Sequence, residues 1–333
     1  MVYRPWGNIR WMLPKIMTGI EWTFCGCISP EERCLGAYNE LRHAAIYLNT
    51  KFIIVHDPQS KFTNEIEKRM NEFKVVASMF DKYIQFEDFD LEYSDFSKIY
   101  FYIQDLINSS NGNIILDISC FPKRFFFPLV KWIFNNDKIN NFIVLNTTPE
   151  TYRSGKLVEN FAEWDTLPFF ADFNENIKKD VVFIGVGHMP MSSLNPIQDI
   201  ASSDKLRLFF PFPGHPDSFM LTWKFVFDIK ESFPERQVPP TTRVSAINCS
   251  ELYDYLVVFS SDLATRENVL LAPYGPKAFS LAMALFATNF NSPVYYTQPR
   301  FYYPDYSSGI AEINGIPKIT AYALILQNRR IYL

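Results

Sequence analysis

Between an apolar run and a helix-like stretch the chain reads Asp117-Ile118-Ser119-Cys120-Phe121-Pro122-Lys123, which places a carboxylate, a hydroxyl and an amine on one short loop. The incoming helix adds its own chemistry, because unpaired backbone N–H groups and the helix dipole attract anions to an N-terminus. Lys123 contributes a full positive charge there, so the ligand these residues suit is a phosphate. A structural reading of the same loop has Asp117 and Ser119 capping the helix and Lys123 as a solvated first-turn side chain. A second loop, Ala272-Pro273-Tyr274-Gly275-Pro276-Lys277, repeats the Pro-Lys pair 154 positions later, without the carboxylate and the Ser hydroxyl. That recurrence favours the ligand reading.

Other residues fall where they could join such a site. Gly26, Gly185 and Gly187 follow or end first-strand runs, where a missing side chain lets a ligand approach the backbone or simply permits a turn. His56-Asp57 closes a second strand run, and Pro213-Gly214-His215-Pro216-Asp217 follows its counterpart; Asp57 and His215 could meet a base or ribose, or be ordinary loop residues. Thr147, Thr148, Thr297 and Gln298 end fifth-strand runs as hydrogen-bonding groups or as caps. The tract from Tyr295 to Tyr306 offers rings for base stacking, or for core packing. Spacing identifies no nucleophile with an orienting partner, so no residue is assigned a catalytic role. Gly185-x-Gly187 lacks the third glycine of a dinucleotide fingerprint, and no phosphate-loop motif of the Walker type occurs, so no cofactor is expected. Cys25, Cys27 and Cys34 read as buried apolar residues rather than zinc ligands.

The elements that must position these residues alternate. Strand runs at Trp22–Cys27, Lys51–Val55, Asn113–Asp117 and Phe142–Leu145 are interleaved with helical patterns near Ser29–Glu32, Asn64–Phe73, Phe96–Asn108 and Pro122–Phe134. Such alternation predicts an α/β fold with a mostly parallel sheet, whose ligands bind beyond the carboxyl ends of its strands. The order then starts again at Val181–Gly187, Leu206–Phe210, Val269–Ala272 and Val294–Tyr296. Local spellings keep one offset: Lys123 with Lys277, Ser154-Gly155 with Ser308-Gly309, and Phe52 with Leu206 all lie 154 positions apart. The expectation is a tandem duplication of a Rossmann-like unit, with halves at 1–172 and 173–333 packed as a pseudo-dimer around one cleft. Polar residues from Asp172 to Asn176 mark the boundary, and Thr320–Leu326 reads as a late strand or hairpin.

A chain of 333 residues suits two domains, and 48% hydrophobic residues leave little room for disorder. A net charge of −4 argues against duplex nucleic acid as a partner while leaving room for a locally basic pocket. Five cysteines, an odd number, without a signal-like N-terminal run point to the reduced cytosol. No apolar stretch reaches the ~18 residues of a membrane span.

Asp117, Ser119 and Lys123 after a fourth strand resemble the loop motif of CARF domains. That resemblance implies binding of a cyclic oligonucleotide at a dimer interface, and the related SAVED domains resemble two such units in one chain. Leu271 and Pro273 stand at the acidic and hydroxyl positions of the second half, and no effector domain is evident, so an effector would be a separate protein. Three functions are therefore open: a sensor of a nucleotide-like phosphorylated ligand in the cleft, with Lys123 and Lys277 on its phosphates; a hydrolase or phosphodiesterase for such a nucleotide; or a non-catalytic subunit of a larger assembly, such as a bacterial defence complex.

Overall fold

The computed structural model describes residues 3–44, 46, 48–57, 62–77, 83–173, 178–187, 197, 200–214, 219–233, 238–263, 266 and 268–333. In its first part, strands β1 Trp6–Asn8, β2 Trp22–Ile28, β3 Leu48–His56, β4 Ile84–Asp90, β5 Asn113–Asp117 and β6 Asn141–Thr147 alternate with helices. These are α1 Ile9–Met12, α2 Gly36–His43, α3 Thr63–Ala77, α4 Phe96–Asn108 and α5 Lys123–Phe134. Then follow β7 Thr151–Tyr152, β8 Val158–Thr166, β9 Val181–Gly185, β10 Leu206–Pro211, α6 Phe219–Ser232, β11 Thr241–Val244, α7 Cys249–Phe259, β12 Val269–Pro273 and α8 Lys277–Phe290. The chain ends in β13 Tyr295–Tyr302, β14 Ser307–Ser308, β15 Glu312–Ile313, β16 Ile316–Pro317, β17 Ile319–Leu326 and β18 Arg329–Arg330.

The larger sheet has eight strands in the order β1-β17-β6-β5-β2-β3-β4, with β18 on β17. Its middle, β6-β5-β2-β3-β4, is parallel throughout. Counted along the chain those five strands run 3-2-1-4-5, the order of a doubly wound sheet, so the direction of winding reverses between β2 and β5. The sequence explains which strands lie inside. All seven residues of β2 are buried, as a strand covered on both faces requires. By contrast β4, Ile-Gln-Phe-Glu-Asp-Phe-Asp, alternates apolar and polar residues and forms the edge. On the other side β17, nearly all apolar, pairs antiparallel with β6.

The smaller sheet is parallel and runs β11-β10-β9-β12. Counted along the chain it is ordered 3-2-1-4, and Val294, just ahead of β13, bridges Leu271 of β12 in parallel. Its reversal lies between β9 and β12.

The chain divides into two compact units, Met1–Glu159 with Arg300–Leu333, and Asn160–Pro299. Each has an aromatic core. In the first, the rings of Phe24, Tyr38, Phe52 and Phe73 meet edge to face, with centroids 4.5 Å apart for Phe52 and Phe73. In the second, α8 is buried from Ala278 to Thr288, as expected of a helix apolar on every side. Asp172 does not behave as a solvated boundary residue. Its carboxylate is buried 2.7 Å from the buried ammonium of Lys179 and accepts the Tyr295 hydroxyl at 3.2 Å, because a charge withdrawn from water must find such partners. No helix among the described residues is long and apolar enough to cross a membrane.

Candidate functional site

In a doubly wound sheet the ligand crevice opens beyond the carboxyl ends of the strands at the reversal. In the first unit those are β2 and β5. Just past β5, the buried Ser119 hydroxyl donates to Asp117 Oδ1 and accepts the backbone N–H of Thr147 at 2.7 Å. The Ser119 N–H also donates to Asp117 Oδ1, at 3.0 Å. Three residues singled out from sequence therefore meet, and they join the end of β5 to the end of β6. Thr147 Oγ1 is buried without a hydrogen-bond partner among the described residues and lies beside the first turn of α2, where a Cβ on Gly36 would be 2.9 Å from Thr147 Cγ2.

Lys123 is the first residue of α5, half-buried, with Pro122 at the cap. Pro128 lies inside this helix and has no N–H for the carbonyl of Arg124 four residues back. The Tyr93 hydroxyl fills that vacancy, donating to Arg124 O at 3.1 Å, while the Arg124 guanidinium donates to Tyr93 O at 2.6 Å and stands 4.8 Å from the Tyr93 ring. This reciprocal clasp fixes the turn that carries Lys123.

The build of the loop after β2 was not visible in the sequence. After β2 the chain does not enter a Ser29-capped helix directly. Ser29 Oγ accepts the Glu31 N–H at 3.3 Å, a 3₁₀ turn spans Glu32–Leu35, and α2 follows. The turn carries Arg33 inward to 6% exposure. Its Nε and one terminal nitrogen both lie 2.9 Å from Glu31 Oε2, which also accepts the Ser307 hydroxyl. Burial alone would push the Arg33 ionisation down, but the Glu31 carboxylate holds it above its usual range. Burial pushes the Cys34 thiol up to about 12 and raises Cys120, Tyr152 and Tyr306 as well. Protonated thiols are poor nucleophiles, so the chemistry of this loop is suited to holding an anion more than to covalent catalysis.

The second unit builds a related join. Past β12, the buried Tyr274 hydroxyl shares a 3.0 Å hydrogen bond with Thr297 Oγ1 and accepts the Thr297 N–H at 3.3 Å. Burial pushes that phenol up to about 12. Lys277 then opens α8 after Pro276, half-buried like Lys123. Gly185 ends β9, and Gly187 lies so close to the next loop that a Cβ would stand 1.8 Å from Tyr274 O.

Two further candidates lie in or just after strands of the first sheet. Gly26 is inside β2, where the space of a Cβ is taken by the rings of Phe52 and Phe24 at 2.8 and 2.9 Å. Asp57 follows β3, beside His56, whose Nε2 is 2.7 Å from Asp88 Oδ1. His215 lies outside the described residues. Compared with known proteins, the chain matches no family model and no curated relative.

Proposed function

We propose that this protein is a sensor of a nucleotide-like, phosphorylated small molecule, with Lys123 as the candidate phosphate contact of the first unit and Lys277 as that of the second. One observation carries the reading: in both sheets the strand beside the reversal, β5 or β12, hands over to a helix whose first residue is lysine. That is the edge where doubly wound sheets bind ligands, and a lysine at a helix N-terminus suits phosphate. The shared strand order and the repeated Pro-Lys pair also support descent of both units from one Rossmann-like ancestor. The likeness of the Asp117, Ser119 and Lys123 loop to CARF domains makes a cyclic oligonucleotide the first ligand to try.

The test is a thermal-unfolding screen of the wild type, Lys123→Ala and Lys277→Ala against cyclic and linear oligonucleotides and mononucleotides. Ligand at ~100 times its dissociation constant stabilises the fold by about 2.7 kcal/mol, and the lysine variants are expected to lose most of that gain. Binding that survives both substitutions rejects the assignment. A subunit role in a larger assembly is favoured by one feature, the exposed apolar stripe of Phe219, Met220, Trp223 and Phe227 along α6, and becomes the better reading if no nucleotide shifts the midpoint.

A further inference from the structure

The loop after β2, at the reversal of the first sheet, holds a buried charge pair of its own. Arg33 stands just past β2, and its electrostatic neighbours are Cys120, from the loop after β5, and Tyr152 and Tyr306, from beside the β7–β14 ribbon. It therefore belongs to the loop after β2 and lies near the loop after β5, the two loops at the reversal of the sheet. Its counter-charge, Glu31, lies two residues away on the same turn, so rotation of the Glu31 side chain is enough to part the pair. Glu31 is in turn held by the Ser307 hydroxyl, and Glu32 accepts the Gly309 N–H at 3.1 Å. Both of those donors lie at β14, a strand of two residues paired with β7.

We infer that Arg33 is a phosphate-binding residue of this crevice and that Glu31 occupies it as an internal stand-in until a phosphate ester displaces it. The inference rests on the sensor reading and adds a residue and a latch to it. Guanidinium presents a planar fork that matches phosphate in two-pronged fashion. A merely structural ion pair is a weak reason to hold a cation here, because desolvation offsets much of what such a pair gains and apolar residues of similar volume often serve as well. A carboxylate on Arg33, latched by a two-residue strand, is an anion held in place and able to leave.

The experiment uses the full chain and inorganic phosphate as the probe, against chloride at equal ionic strength. Glu31→Gln leaves Arg33 buried without its counter-charge, so its unfolding midpoint in chloride should fall below that of the wild type, and phosphate should restore about 4 °C or more. Glu31→Gln combined with Arg33→Met should show no restoration, and the wild type little. Equal phosphate responses in all three overturn the inference. Should Glu31→Gln fail to fold, Ser307→Ala frees the latch while leaving the pair intact, and a roughly tenfold gain in phosphate affinity is expected; unchanged affinity overturns the proposal. A nucleotide that binds the wild type and the double variant equally rejects Arg33 while leaving the sensor reading standing. Phosphate restoration in Glu31→Gln, with no nucleotide bound by the wild type, keeps the Arg33 site and rejects the sensor.

Discussion

The Ser119 hydroxyl has two partners at once, giving its proton to Asp117 and receiving that of the Thr147 amide. Ser119→Ala therefore leaves the buried Thr147 N–H without its acceptor and removes one of two hydrogen bonds that residue 119 gives to Asp117 Oδ1. Such losses cost about 1–3 kcal/mol, to be seen as a lower urea midpoint at unchanged m-value; an unchanged midpoint would mean the join does not hold the strand ends. Asp117, Ser119 and Thr147 were legible because hydroxyls and a carboxylate at strand ends stand out against apolar runs. Arg33 was not. Glu31, Glu32 and Arg33 spell a solvated turn, and only the neighbouring Cys34 and Leu35 signal that the segment faces inward. The inward rotation is a property of the 3₁₀ turn, which side-chain types do not encode.

At the scale of elements, the loop after β9 lies directly against the loop after β12, and its glycines differ in what they tolerate. A Cβ on Gly187 would sit 1.8 Å from a backbone oxygen, whereas on Gly185 its nearest neighbours would be at an ordinary 3.4 Å. Gly187→Ala must displace main chain and should cost about 1–3 kcal/mol or more, while Gly185→Ala should cost less than about 1.5 kcal/mol. Comparison of the two denaturant midpoints checks the contact, and equal costs would refute it. Sequence left both glycines open to a ligand's approach or to a turn, and in the fold protein backbone comes close to Gly187. The apolar interior strands and helices α4 and α5 were legible almost to their ends. The acidic edge strand β4 was missed, because Glu87, Asp88 and Asp90 interrupt its apolar positions where one side faces water.

For the molecule as a whole, alternation of strands and helices predicted the α/β class and the parallel sheets, since local periodicity carries that information. The order of strands was not readable, nor the return of β17 to the first sheet, because pairing between distant segments leaves no local signature. What the cores bury makes a prediction of its own. Burial pushes the thiols of Cys25 and Cys34 from 9.0 up to about 12, and the Tyr274 phenol from 10.0 up to about 12. Each is a neutral acid that keeps its proton in the fold after the open chain has released it. The unfolded state thus binds fewer protons from pH 9 upward, and stability must fall as pH rises, by about 1.4 kcal/mol per pH unit for each such group. These groups leave stability flat at pH 6–8 and contribute their full loss by about pH 12. Urea unfolding between pH 8 and 10.5 should show the decline. Cys25→Ala should make it shallower by close to one proton's slope above pH 9, since it removes a titrating thiol that only the unfolded chain can ionise. An identical slope in that variant would show that the Cys25 thiol titrates in the fold as freely as in the open chain.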